Sequence, residues 1–135
     1  FKPIRLKIYS DMAGKLSQQK IDYVQSLVSS ASAYFTASLN VVPVQGNLLV
    51  ERRCVKRWIT GPRAGLCSDA IGPRCGTMTS IPPEHLKELE LWDTPDNGAS
   101  WSKTVLPGGE GVLDADVLIY VTAGSVGRVQ GLSND

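Results

Sequence analysis

The chain has 135 residues, 42% of them hydrophobic and 20% charged, and fourteen basic against thirteen acidic side chains leave a formal charge of +1. This balance is too apolar for a disordered segment and too neutral for a nucleic-acid binder. No run approaches the roughly 20 apolar residues that a membrane-spanning helix requires. The length suits one compact unit or most of one, and a chain that opens on Phe1 with no charged-then-apolar leader reads as a processed or excised piece.

In chain order, Ile4, Leu6 and Ile8 alternate with Arg5, Lys7 and Tyr9, the period-two pattern of a strand with one buried face. Asp11 to Gly14 supplies turn residues, and Ser17 stands where an N-cap would accept a backbone N–H. The helix expected next carries Ile21, Val24, Leu27, Val28, Ala31, Tyr34, Phe35 and Leu39 along about six turns, an apolar stripe suited to lie on a sheet. Asn40 is the expected stop, and Pro43 forbids continuation. Leu48 and Val50 alternate with Leu49, which predicts a second short strand over 47–51. Residues 52–107 are rich in Gly, Pro, Ser, Thr and Asp, too long for an ordinary connection, and read as a structured insertion. The continuous β-branched run Val117 to Val121 predicts a central strand covered on both faces. Strand, helix, strand, long insertion and buried strand make an α/β layer with the helix as a crossover beside a twisted mixed or parallel sheet.

Few residues invite chemistry. A hydrolytic zinc needs three protein ligands and an open position, yet His85 is the single histidine, with Glu84 and Glu88 nearby and no second histidine at helical spacing. It reads as a loop or helix-start histidine. Asp114 and Asp116 form an Asp-x-Asp pair of the kind that can hold Mg²⁺ with a diphosphate; the plainer reading is that they cap the strand entry and keep a glycine-rich loop solvated. Gly108, Gly109 and Gly111 precede a strand instead of opening a helix, which argues against a phosphate cradle. Arg52, Arg53, Lys56, Arg57 and Arg63, with Trp58 among them, form the one basic cluster. As a nucleic-acid module it would predict salt-sensitive binding to single strands, but the near-neutral total charge favours a solvated loop.

Cys54, Cys67 and Cys75 match no CxxC spacing. A bridge between Cys54 and Cys67 would close a loop of about a dozen residues, a constraint worth roughly 3 kcal/mol in the chain-entropy model. Cys75 would then need a partner outside this segment, or remain a free buried thiol.

Three segments together resemble the leishmanolysin family of metzincin metalloproteases. Leu39 to Leu48 is similar to the family's Leu-x-Val-x-x-Val-x-Gly stretch. Cys75-Gly76, Ile81-Pro82 and His85-Leu86 resemble its Cys-Gly, hydrophobic-Pro and His-hydrophobic series. Gly111 to Ala123 resembles the strand carried before the active-site helix, and Pro3 to Ile8 fits the first strand. The insertion around Trp58 and Trp92 is the poorest match.

The resemblance implies a metzincin-like N-terminal lobe over residues 1–135, incomplete without downstream chain, in a secreted or cell-surface zinc endopeptidase acting on proteins or peptides. The family's His-Glu-x-x-His motif would lie beyond Asp135, so no catalytic, cofactor-binding or zinc-binding residue is assigned here. The segment would serve as scaffold, with the remainder of its own polypeptide as partner and zinc held elsewhere in the parent. Cys75 looks like the family cysteine that pairs with one downstream of the Tyr-Val-Thr-Ala strand. The alternative is a non-catalytic surface or assembly module that keeps the same architecture.

Overall fold

The computed structural model describes residues 1–75 and 79–124, arranged as two compact units. One is formed by Phe1–Pro43 with the segment that begins at Ala115; the other by Val44–Cys75 and Ser80–Asp114.

In the first unit, β1 (Lys2–Pro3) pairs antiparallel with β3 (Asn40–Val41), and β2 (Leu6–Asp11) pairs in parallel with β10 (Val117–Thr122), Leu6 opposite Val117 and Thr122 opposite Asp11. The expected first strand thus begins two residues late. Its missing start has other uses: the Ile4 N–H donates to the Leu39 carbonyl at 3.0 Å, and the Arg5 N–H to the Asp116 carboxylate at 2.9 Å.

Between the strands runs α1 (Gln18–Ser38), and the Ser17 hydroxyl accepts from the Lys20 N–H as an N-cap does. The helix stops before Asn40, because Leu39 turns extended and Asn40 joins β3. Only Ile21 is buried, Val24 and Val28 are half-buried, and Leu27, Tyr34, Phe35 and Leu39 are exposed, so the described residues cover less of the apolar stripe than its pattern suggests. Among the described residues β10 pairs with β2 alone, and Val117 and Ile119 are each 37% exposed, so the cover expected on both faces of this strand is not supplied by the described residues.

The second unit carries β4 (Cys54–Arg57), β5 (Cys67–Ala70), β6 (Arg74–Cys75), β7 (Thr79–Ser80, its second residue), a single 3-10 turn at Pro83–His85, β8 (Leu89–Asp93) and β9 (Ser102–Leu106). β4 pairs antiparallel with β5, and β8 with β9. Among the described residues the strands pair two at a time and form small sheets: β4 with β5 and β8 with β9 through local connections, β1 with β3 and β2 with β10 across longer separations. The strand expected over 47–51 is absent. Leu48 bridges Val112 in antiparallel fashion while Val50 bridges Leu86 in parallel, and two partners from different segments cannot propagate one ladder. The core here is built on Cys67, His85, Leu86 and Val112.

Close backbone approach explains the glycine run. A Cβ on Gly109 would lie 2.3 Å from the Glu84 Cα, and one on Gly111 2.8 Å from the Leu48 carbonyl oxygen. Gly109 donates its N–H to the Leu86 carbonyl and Gly111 to that of Glu84, both at 2.8 Å. These amides are spent within the fold and do not converge on a ligand.

Candidate functional site

Three places concentrate polar or aromatic chemistry. The first ties the two ends of the first unit together. The Asp116 side chain, 5% exposed, accepts from the Arg5 backbone N–H at 2.9 Å, from Nε at 3.0 Å and from Nη2 at 2.8 Å. Two guanidinium nitrogens on one carboxylate form a bidentate, charge-assisted pair that fixes direction as well as distance. Asp116 and Val117 also donate their backbone N–H groups to the Arg5 carbonyl. Asp116 is therefore a nearly buried register pin for β2 and β10, not a solvated residue at a loop. Asp114 lies in the left-handed region, at φ 53.

Second, Ile8 and Ser10 of β2, Met12, and Gln25, Val28, Ser29 and Ser32 of α1 line a cleft of about 230 Å³. Its walls mix hydroxyls and an amide with aliphatic carbon and contain no ionisable group.

The third place is an aromatic clasp in the second unit. Cys54 and Cys67 are bonded to each other, with Cα atoms 6.0 Å apart, across the mouth of the β4–β5 loop. Inside the loop, Trp58 donates its N–H to Leu66 and accepts from Gly65, while Arg57 Nη1 reaches the Gly65 carbonyl at 2.9 Å. The Trp58 indole N–H donates to the Trp92 carbonyl at 2.8 Å, and its ring meets Trp101 edge-on at 5.0 Å. The Arg63 guanidinium lies 4.3 Å from the Trp92 ring centre and 5.1 Å from that of Trp101, and Lys103 Nζ sits 5.6 Å from Trp92. Arg63 Nε is buried with no hydrogen-bond partner among the described residues, consistent with a cation held by ring faces.

The basic cluster read from the sequence is thereby divided. Arg52 donates to the Pro107 carbonyl, Arg57 to Gly65, and Arg63 enters the clasp, while Arg53 and Lys56 remain exposed. Sequence reading missed both the Arg5–Asp116 pin and the Arg63–Trp92–Trp101 clasp; three tryptophans gathered in a stretch without periodicity were the one available signal for the latter.

His85 is 5% exposed at the end of its 3-10 turn, where its carbonyl accepts the Val50 N–H at 2.7 Å. Cys75 is exposed. Among the described residues no three His, Cys, Asp or Glu side chains come together as metal ligands. With a single histidine in the sequence, the residues present do not fit a hydrolytic zinc. No described helix is long and apolar enough to cross a membrane.

Compared with curated proteins, the chain is 28% identical over 138 aligned positions, covering 97% of its length, to a protein of Caenorhabditis elegans named leishmanolysin-like peptidase. The chain is similar to leishmanolysin-like peptidases. A protein of the same name from Caenorhabditis briggsae is 27% identical over the same share of the chain. The chain spans only 20% of the length of each of these two peptidases. No family model matches it, and no solved structure matches it significantly.

Proposed function

We propose that this chain is a scaffold segment of a leishmanolysin-like zinc endopeptidase, an N-terminal part of a metzincin-type catalytic domain whose zinc ligands and general base lie elsewhere in the parent polypeptide. The observation that carries the reading is the similarity over 97% of the chain to two leishmanolysin-like peptidases. The ligand chemistry accords with it, since the single histidine and dispersed carboxylates suit a segment that supports a site. Support of that kind needs rigid elements. The Arg5–Asp116 pin, which sets β2 beside β10, and the helix that follows β2 supply rigidity in the first unit. In this reading the parent acts on proteins or peptides outside the cell, and the exposed Cys75 pairs with a cysteine of the remaining polypeptide.

The test is made on the intact parent: its full sequence, its zinc content after dialysis, and its hydrolysis of a casein or peptide substrate with and without a chelator. One zinc per molecule with chelator-sensitive hydrolysis supports the proposal. A parent that lacks His-Glu-x-x-His, or carries it and cleaves nothing, replaces the enzyme reading with a non-catalytic surface or assembly module.

A further inference from the structure

The turn joining β8 to β9 contains Asn97-Gly98, the one Asn-Gly pair in the sequence. Both residues are exposed and left-handed, at φ 55 and 99. Glycine at the second position leaves its backbone nitrogen unhindered by a side chain, the arrangement in which that nitrogen most readily attacks the preceding carboxamide. Here the nitrogen is engaged. The Gly98 N–H donates to Thr94 Oγ1 at 2.7 Å, and the same hydroxyl donates to Asp96 Oδ1 at 3.1 Å. Asp96 is fixed in turn by the Ser100 N–H at 2.6 Å and the Ser100 hydroxyl at 2.5 Å, while the Thr94 N–H donates to Asp93 Oδ1 at 2.8 Å.

We propose that Asn97 is a site of spontaneous deamidation, and that the Thr94 hydroxyl sets its rate by holding the Gly98 N–H away from the Asn97 side chain. In the reaction the Gly98 nitrogen loses its proton to solvent and bonds to Asn97 Cγ. The bond from Cγ to Nδ2 breaks, and the amide nitrogen leaves as ammonia with a proton taken from solvent. The five-membered succinimide that results takes up one water. Opening at one carbonyl gives aspartate, and opening at the other gives isoaspartate, whose main chain runs through Cβ. No electron is transferred. Ring closure requires the peptide plane between Asn97 and Gly98 to rotate out of the left-handed geometry, and that rotation breaks the bond to Thr94. The restraint is therefore a property of the folded turn and not of the dipeptide.

The outcome matters to the clasp. Trp92 lies on β8 and Trp101 immediately precedes β9, so the turn spaces the two rings that hold Arg63. Isoaspartate adds a main-chain carbon there, and either product adds a negative charge beside Asp93 and Asp96.

The experiment incubates purified wild-type protein and the T94V and T94S variants at mildly alkaline pH, in native buffer and in denaturant, and follows the amide-to-acid mass increase and isoaspartate content by peptide mapping. Expected are conversion at Asn97 ahead of every other asparagine, T94V several-fold faster than wild type in native buffer, T94S close to wild type, and all three equal in denaturant. Wild type alone also decides, since its rate should rise on unfolding even if T94V fails to fold. Conversion at another asparagine first, equal wild-type rates in native buffer and denaturant, or a T94V effect that persists in denaturant would overturn the proposal.

Discussion

Replacing Asp116 tests the pin between β2 and β10 directly. In D116A the Arg5 N–H loses its carboxylate acceptor and the guanidinium loses its two contacts to that carboxylate. An orphaned N–H costs about 1–3 kcal/mol. The guanidinium adds less, because Arg5 is 34% exposed and recovers hydration, which places its share at about 1 kcal/mol or below. The total is about 1–4 kcal/mol, a sizeable part of a typical domain stability of about 5–15 kcal/mol. D116N retains an oxygen to accept the backbone N–H and loses the charge, so its cost should be about half as large. R5A strips the cation from a carboxylate that is 5% exposed and belongs with D116A in severity. With a urea slope of about 2 kcal/mol per molar, the D116A midpoint should fall by roughly 0.5–2 M. A double-mutant cycle with R5A then isolates the pair, whose coupling should exceed about 1 kcal/mol. Unfolding free energies for D116A and D116N within about 0.5 kcal/mol of wild type would refute the reasoning and reduce the contact to a decorative surface pair.

Gly109→Ala should destabilise by about 1–3 kcal/mol or more, because its Cβ meets the Glu84 backbone at 2.3 Å, whereas Gly72→Ala, with nothing within 4 Å and no positive φ, should be neutral or slightly stabilising; equal midpoints would contradict the packing. Asp96 should titrate below the ordinary aspartate range, held down first by the Ser100 hydroxyl and then by the Ser100 N–H, with Ser100→Ala moving its NMR midpoint upward. The sign follows from a depressed folded-state pKa: any stabilisation is complete above the usual aspartate value and is lost as pH falls through the lower, folded one. The 135-residue chain expressed alone should retain no stoichiometric zinc after dialysis and cleave no peptide, and one tightly held zinc per chain would contradict this. Arg63→Ala should lower stability by about 0.5–2 kcal/mol and change the tryptophan emission, and an unchanged spectrum would count against the clasp.

What could be read in advance was what is periodic or local. Ser17 and the apolar spacing from Ile21 announce α1, and the β-branched run announces β10, because both signals are complete within a few turns or residues. The glycine run at 108–111 could be excluded as a phosphate cradle from its position alone. Partners far apart in sequence could not be read: Arg5 and Asp116 are 111 positions apart, and the Trp58 indole and the Trp92 carbonyl 34. Leu48 and Val50 misled because their alternation is real but serves two different segments. Val117 and Ile119 call for cover that the described residues do not supply, since hydrophobic character states what a side chain prefers and not what covers it. The segments that resemble the leishmanolysin family were legible as short motifs. The clasp lies in the stretch where that resemblance is poorest.

The parallel pairing of β2 with β10 also sets a folding order. All of the second unit lies, along the chain, between these two strands. Its hairpins close over short separations, and the Cys54–Cys67 bond spans only 13 positions. They can form while the chain is still searching. β2 must instead wait for a strand more than a hundred residues later, and non-local parallel pairing is intrinsically slow because its loop entropy is lost before any contact rewards it. The first unit should therefore be the late, rate-limiting half of folding, and during synthesis on a ribosome β2 would emerge long before its only described strand partner exists. An unpaired strand edge kept waiting in this way is a template for association with other chains. The interval before β10 arrives, more than the finished fold, is when this sequence is most exposed to aggregation.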